Sequence, residues 1–214
     1  MKKVIIGCSV LRREIEDSLG DMPDFQFNWL EDQLHNVPET LHQKVQDAIK
    51  EAENADIIYL LYGHCGQALT GVKALDCPIV LPKVEDCIDV LLFHNHASVK
   101  MRRTSYFVSQ GWLWGKEGLG YEYDRIKEKN GEKRALRVIK AMYRNYKHLM
   151  FIKTGIDEDR VREKCAEIAD KIDLELLETD GDVTLILEML NGSIDERFIV
   201  IPPGGSITEE MFRQ

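Results

Sequence analysis

Three cysteines each follow a predicted strand at or just past its end. Cys8 comes directly after the apolar run KVIIG, Cys65 after IIYLLYGH, and Cys87 shortly after PIVLP. The carboxyl ends of parallel strands face one side of an open α/β sheet, and ligands bind there at a switch in strand order. We therefore expect the three sulfurs to converge. A glycine or a predicted helix start lies near each cysteine, and backbone N–H groups there are expected to favour thiolate over thiol.

Three thiolates at one point repel each other, and a cation would resolve the conflict. Zinc takes three protein ligands and keeps its fourth position open in catalytic sites. An iron–sulfur cluster, such as [4Fe-4S], held by three cysteines would leave one iron open, although four thiolates are usual. The competing interpretation is that the cysteines are small buried apolar side chains. Cys77, which precedes a strand, and Cys165, inside an amphipathic helix, fit that interpretation better.

Other polar side chains beside the cysteines are weaker candidates. His64 could be a ligand or an acid–base group, or a histidine whose hydrogen bonds are satisfied within the fold. Glu85 and Asp86 could support Cys87 by hydrogen bonding, or could be carboxylates that stabilise a helix start. Arg12 could reach an anionic ligand, although a solvated arginine is commoner.

Aromatic and histidine residues suggest further features of a site. Trp112 and Trp114 could form an aromatic wall over a pocket, with Tyr62 as a further wall residue, although tryptophans in such a segment more often anchor an insertion to the core. His94 and His96 look like a ligand pair, but alternate residues of a strand, or of a helix end, do not face the same way.

The elements that position these residues alternate along the first half of the chain. This alternation predicts right-handed βαβ units and a parallel sheet, in a Rossmann-like three-layer α/β architecture. Predicted strands cover Lys3–Gly7, Phe25–Leu30, Ala55–Tyr62 and Pro78–Leu81, and predicted helices cover Leu11–Leu19, Pro38–Ala52 and Val84–Phe93.

The middle of the chain interrupts this pattern. Residues 98–146 contain two tryptophans, several glycines and a long charged helix from about Tyr121, and are predicted to be a helical insertion or lid. The α/β pattern then returns, which divides the chain into residues 1–97, 98–146 and 147–214, in one domain or two lobes. The returning elements are strands at His148–Lys153, Leu174–Leu177 and Phe198–Ile201 and helices at Glu158–Ile172 and Val183–Leu190.

Composition narrows the class of protein. The chain has 214 residues, with 37 acidic and 28 basic side chains and a formal net charge of −9, which disfavours a nucleic-acid partner. Its apolar runs are too short to span a bilayer, so no membrane association is expected. We interpret the start, MKKVIIGCSV, as a strand rather than a signal peptide, because its apolar run breaks at Arg12 and Arg13. A reducing cytoplasm is therefore expected, with thiols rather than disulfides.

Several segments together resemble a known family over nearly the whole chain. They are IIGCSVLRREIE, LHNVPETL, LLYGHCGQALTGVKA, CPIVLPKVEDCIDVLL, TSYFVSQGW, FIKTG and LNGSIDERFIVIPPG. The chain resembles the uncharacterised family "domain of unknown function 1638" from anaerobic bacteria and methanogenic archaea. The resemblance implies a cysteine at each of Cys8, Cys65 and Cys87, within Gly-Tyr-Gly-x-Cys-Gly-Asn around the second and His-Asp-Cys around the third. This sequence departs from those motifs at Gln67 and Glu85.

The resemblance also implies that the protein is associated with corrinoid-dependent methyltransferase systems. Such an association does not by itself identify a mechanism. Two hypotheses follow. In the first, the chain is a zinc-dependent methyltransferase, or a component of one, acting on a thiol or a corrinoid-linked methyl group. In the second, it is a non-catalytic metal or iron–sulfur carrier that docks on a corrinoid protein. An exchangeable fourth ligand would distinguish the first from the second.

Overall fold

The computed structural model describes residues 1–20, 24–95, 100–116 and 118–213. His96 and Ser98, where a ligand pair and the start of the insertion were predicted, lie outside these ranges. The chain folds into two compact units, the first formed by Met1–Val90 with Val183–Gln214 and the second by Leu91–Asp182. Within the described ranges, no helix is both long enough and apolar enough to cross a bilayer.

The first unit is built on a five-stranded sheet in the order β2-β1-β3-β4-β8. The first four strands in this order are parallel, whereas β8 runs antiparallel to β4 at one edge. The central strands β1 and β3 are almost wholly buried, which explains their continuous apolar sequences. The strands are β1 (Lys3–Cys8), β2 (Phe25–Leu30), β3 (Ile57–Leu61), β4 (Ile79–Pro82) and β8 (Phe198–Ile201).

The strand order contains a switch point between β1 and β3. From β1 the chain moves to β2 on one side, then crosses back to β3 on the other side of β1. Right-handed crossovers in opposite directions place their helices on opposite faces of the sheet. The chain leaves β1 towards β2 on one side and leaves β3 towards β4 on the other. In open α/β sheets a crevice lies at the carboxyl ends of two such strands.

Four α-helices described in the first unit connect or flank these strands. The second begins at Pro38, a residue suited to a first helical turn, and buries Leu41, Val45 and Ile49 along one stripe. Short 3-10 helices lie at Ser9–Leu11, Asp32–Asn36 and Glu209–Phe212. The α-helices are α1 (Arg12–Leu19), α2 (Pro38–Glu51), α3 (Cys87–Leu91) and α8 (Thr184–Leu190).

The second unit has a parallel three-stranded sheet in the order β5-β6-β7. Its core packs Tyr123, Ile139, Phe151 and Ile168 between helices and sheet. The strands are β5 (Ser105–Val108), β6 (His148–Lys153) and β7 (Glu175–Asp180), and the helices are α4 (Gln110–Trp114), α5 (Leu119–Asn130), α6 (Glu132–Tyr143) and α7 (Glu158–Ile172).

The α/β class and the mostly parallel sheets are confirmed, and the two compact units divide the chain at other positions than the predicted segments 1–97, 98–146 and 147–214. The predicted insertion is not wholly helical, because it supplies β5, which pairs with β6. Residues 147–214 do not form a separate C-terminal half, because their last strand, β8, pairs with β4 of the first unit. The single long helix predicted from about Tyr121 is two helices that meet at Gly131.

Gly131 gives the first prediction. It has φ +83° and ψ 157°, a conformation that is essentially restricted to glycine. A Cβ there would meet no heavy atom within 4 Å, so only backbone strain opposes a side chain. Gly131→Ala should lower the free energy of unfolding of the second unit by about 1–3 kcal/mol in urea denaturation. Exposed Lys129→Ala is the control and should change it by less than about 0.5 kcal/mol. Equal effects would contradict the assignment of strain.

Candidate metal centre

The three cysteines follow three adjacent parallel strands. Cys8 is the last residue of β1, Cys65 lies in the turn after β3, and Cys87 is the first residue of α3, after β4. Since β1, β3 and β4 are neighbours in the sheet, their carboxyl ends lie side by side. Cys8 and Cys65 flank the switch point. The placement predicted from the strand ends is therefore found in the fold.

Two backbone hydrogen bonds join the turn after β3 to the loop after β4. The His64 N–H donates to the Val84 carbonyl at 2.9 Å, and the Cys65 N–H donates to the Glu85 carbonyl at 2.8 Å. The loops approach so closely at Gly63 that a Cβ there would lie 2.5 Å from the Asp86 nitrogen. Glycine at this position therefore lets the segment carrying Cys65 pack against the segment leading to Cys87.

The turn that holds Cys65 is left-handed over three successive residues. Cys65, Gly66 and Gln67 have φ values of +48°, +64° and +72°. Left-handed backbone costs a non-glycine residue roughly 1–2 kcal/mol, and such strain is found most often at functional sites. At Gln67, where the family resemblance implies asparagine, the backbone conformation itself explains that preference, because asparagine tolerates it well.

Burial keeps the thiols neutral, which corrects the expectation that the strand ends favour thiolate. Desolvation raises the pKa of both Cys8 and Cys65 to about 12. Hydrogen bonds from the backbone of Val10 to Cys8 and of Gly63 to Cys65 lower the pKa, but burial outweighs them. At neutral pH these two sulfurs therefore carry their protons when no cation is bound.

Tyr62 is close enough to all three cysteines for their ionised forms to raise its pKa. Its side chain is buried, with 3% of the residue exposed, and its hydroxyl makes no hydrogen bond. Burial raises the Tyr62 pKa well above its usual value, and Cys8, Cys65 and Cys87 each raise it further. Cys8 likewise raises the pKa of Cys65. Tyr62 and the three cysteines therefore form one neighbourhood, in which Cys8 and Cys87 are buried and Cys65 is partly exposed. The Tyr62 hydroxyl has no partner among the described residues, which costs about 1–3 kcal/mol.

Acidic groups surround this neighbourhood, and sequence reasoning missed one of them. Asp32 is 4% exposed and raises the pKa of Cys8, while Asp86 and Glu85 raise that of Cys65. Asp32 begins the 3-10 helix that follows β2, the fourth parallel strand. The strand-end rule that selected the cysteines could have found it, since it lies shortly after the predicted strand Phe25–Leu30.

His64 and Asp86 have structural partners. The His64 ring stacks on Phe212 with centroids 4.6 Å apart, and its Nε2 lies 3.4 Å from the Thr70 hydroxyl. The Asp86 carboxylate accepts hydrogen bonds from the backbone N–H groups of Ile88 and Asp89, at 2.9 and 3.0 Å, and so caps α3. His64 is therefore held in place by packing, and Asp86 holds the helix that begins at Cys87.

Arg12 and Glu85 are more exposed than these residues. The Arg12 guanidinium donates to Glu16 one turn later, at 2.9 Å. The Glu85 side chain is 68% exposed and lies 4.0 Å from the His64 ring nitrogen Nδ1. Both side chains therefore lie largely in solvent.

The remaining predicted residues lie elsewhere. Trp112 is in α4, in the second unit, whereas the cysteines belong to the first, so the lid and its Trp112 wall stay predictions. Cys165 is fully buried in the apolar core of the second unit, as the simpler interpretation expects. Cys77 is also buried, just before β4, at the opposite end of that strand from Cys87.

The donor chemistry of this neighbourhood suits a soft cation. Three thiols supply sulfur ligands, the charged groups that act on Cys8 and Cys65 are all acidic, and the Tyr62 hydroxyl has no partner. As they stand, the described residues contain no group of three or more histidine, cysteine, aspartate or glutamate side chains arranged to hold a metal ion. Binding would therefore require the thiols to draw together as they lose their protons.

These features define an α/β protein with three cysteines at the carboxyl ends of three adjacent parallel strands. Residues 29–190 match the family model described as "Protein of unknown function (DUF1638)", and the chain belongs to that family. No match was found among curated proteins or among solved structures.

Gly63 gives the second prediction. In Gly63→Ala the new methyl group would collide with backbone atoms of Glu85 and Asp86, so the two loops must separate. We expect the free energy of unfolding to fall by about 1–3 kcal/mol or more, and the Cys65 thiol to react faster with a disulfide reagent. In the control, Gly66→Ala, the methyl group meets open space and only backbone strain applies, so Cys65 should stay about as protected as in the unchanged protein. Equal thiol exposure in both variants would contradict the proposed loop contact.

The third prediction concerns pH. The unfolded chain loses the thiol protons of Cys8 and Cys65 near pH 9, whereas the folded protein keeps them to about pH 12. The folded state then binds more protons, so the free energy of unfolding of the metal-free protein should fall as pH rises from 9 towards 12. Urea denaturation below and above pH 9 measures this slope, which Cys8→Ala should make shallower. An unchanged slope in that variant would show that Cys8 ionises normally in the fold.

Proposed function

We propose that the chain is a metal-binding protein whose centre is held by Cys8, Cys65 and Cys87, and that it is a methyltransferase or a methyltransferase component acting on a thiol or a corrinoid-linked methyl group. The supporting observation is that these cysteines follow the carboxyl ends of three adjacent parallel strands, and that each of them raises the pKa of the buried Tyr62. Zinc is the proposed metal, and a [4Fe-4S] cluster is the alternative.

The site residues have defined tasks in this proposal. The three sulfurs would be the protein ligands, and a bound zinc ion would act as a Lewis acid that keeps an incoming thiol ionised at neutral pH. Asp32 and Asp86 add negative charge near the sulfurs, which attracts a cation and repels a free anion. Because the thiols are neutral without metal, binding must release their protons, and uptake should strengthen as pH rises.

The proposed reaction transfers a methyl group to the sulfur of a thiol substrate. The sulfur attacks the methyl carbon, a sulfur–carbon bond forms, and the bond between that carbon and its donor breaks. The donor keeps the electron pair of the broken bond, and the thiol proton passes to solvent. A methylated corrinoid on a partner protein is the proposed donor, a role that derives from the family resemblance alone. The cytoplasm is the proposed location, because all five cysteines are present as thiols.

A non-catalytic metal or cluster carrier is the second candidate. Cys8 and Cys87 are each 7% exposed, which favours a centre closed to solvent. Asp32 is equally buried near Cys8 and could close such a centre as a fourth ligand. An exchangeable fourth position favours the methyltransferase, whereas a fourth ligand from the protein favours the carrier.

The fourth prediction tests the centre itself. Protein purified without oxygen should contain about one metal centre per chain, colourless with zinc or brown with iron and sulfide. Replacing Cys8, Cys65 or Cys87 singly by serine should abolish most of the metal content measured by elemental analysis. Cys77→Ser is the matched control, since Cys77 is buried in the same unit but before β4, and it should keep its metal. Full retention in all three site variants would refute the assignment.

A further inference from the structure

The second unit contains a groove with a basic lining. It has a volume of about 630 Å³ and lies where α5 ends and α6 begins. Three of its five lining residues are the groove cations Lys133, Arg134 and Arg137, and the other two are Asn130 and the half-buried Val138. The groove is therefore in the size range of small-molecule sites, and its lining attracts anions.

The charge of the chain is divided unequally between the two units. The first unit has 21 acidic and 10 basic side chains, so it carries the whole acidic excess of the chain. The second unit has 16 acidic and 18 basic side chains, a formal net charge of +2. The net charge of −9 for the whole chain therefore conceals a unit in which an anion can bind without general repulsion.

The fold does not use the charges of the groove cations. Among the residues that the structure describes, none forms an ion pair or a hydrogen bond with their side chains. Other basic residues of the same two helices are paired, since the Lys127 ammonium lies 3.7 Å from the Glu132 carboxylate. The Lys140 ammonium likewise lies 2.7 Å from the Asp173 carboxylate. The groove cations are three or four residues apart along α6, or adjacent, and like charges at such spacings destabilise a helix. Their positions therefore have a cost that no contact within the described residues offsets.

The chemistry of the lining indicates the kind of ligand. Each arginine presents a planar fork of N–H donors that matches the paired oxygens of a phosphate or a carboxylate. Lys133 and Arg134 lie in the first turn of α6, where the helix dipole also favours negative charge. A ligand with one negative charge would leave two of the three cations uncompensated, so a compact anion with several charges fits the groove best.

We propose that the groove at the start of α6 binds a compact anion with several negative charges, a polyphosphate or a polycarboxylate. Arg134 and Arg137 each donate paired hydrogen bonds to its oxygen atoms, while Lys133 adds a third positive charge. Asn130 supplies an amide donor, and Val138 supplies an apolar surface for any carbon skeleton that the ligand carries. The site lies in the second unit and requires neither the cysteines nor a metal.

The test is isothermal titration calorimetry of the full metal-free chain at low ionic strength, with tripolyphosphate and with citrate as the two probes. The unchanged protein should bind at least one of them, and the tighter probe identifies phosphate or carboxylate as the preferred group. The double variant Arg134→Gln/Arg137→Gln should bind it roughly tenfold more weakly or worse, because hydrogen bonds to a charged ligand are lost. The double variant Arg144→Gln/Lys147→Gln is the matched control. It removes the same charge from exposed positions outside the groove and should bind almost as the unchanged protein does.

Three outcomes would overturn the proposal. If the unchanged protein binds neither probe, the groove is not an anion site. If both double variants lose affinity equally, the anion responds to the overall charge of the unit and not to the groove. The third outcome concerns stability, because removing two unpaired like charges should leave Arg134→Gln/Arg137→Gln at least as stable as the unchanged protein in urea denaturation. A less stable variant would show that the arginines serve the fold.

Discussion

The contact between the turn after β3 and the loop after β4 is the constraint on which the site depends. Two backbone hydrogen bonds and the absence of a side chain at Gly63 hold these segments against each other. The sheet alone brings three strand ends side by side, but it does not fix the loops that follow them. This contact fixes the direction in which Cys65 leaves the sheet, and it begins a left-handed turn that only a well-held loop can maintain.

Burial and charge compete at the cysteines, and burial decides the metal-free state. Isolated thiols removed from water keep their protons, so the metal-free neighbourhood carries less charge than its residue types suggest. The neighbouring carboxylates reinforce this effect. The same carboxylates favour a bound cation. Each thiol that loses its proton adds a further negative charge, which attracts the cation more strongly. Metal binding and loss of the thiol protons are therefore coupled, so the affinity for metal depends on pH.

The sequence predicted the parts of the structure that depend on local patterns. Phe25–Leu30, His148–Lys153, Glu158–Ile172 and Phe198–Ile201 have the bounds that their apolar spacing predicted. The three cysteines do follow the ends of adjacent parallel strands, as the strand-end rule predicted, while the convergence of their sulfurs stays a prediction. Pairing was harder, because the direction of β8 and its return to β4 depend on contacts far apart in sequence. The short strand β5 was missed because its residues lack a clear alternation and lie among glycines and tryptophans.

The chemical state of the site could not be predicted from residue types. Thiolate was expected from nearby backbone N–H groups, and those groups do lower the pKa of Cys8 and Cys65. The larger effect, desolvation, depends on how many atoms the whole fold packs around each sulfur. Asp32 was missed for a related reason, since a carboxylate after a strand is normally solvated and only the fold buries it beside Cys8.

Gln67 and Glu85, where the family resemblance implies other residues, both act in the fold through their backbones. Gln67 contributes a left-handed backbone and an exposed side chain. Glu85 contributes its carbonyl to the loop contact, while its side chain extends mostly into solvent. At both positions the fold depends on the backbone and not on the side chain, so a different side chain can be accommodated there. The Tyr62 hydroxyl differs in kind, because it is a buried polar group that forms no hydrogen bond to any of the described residues.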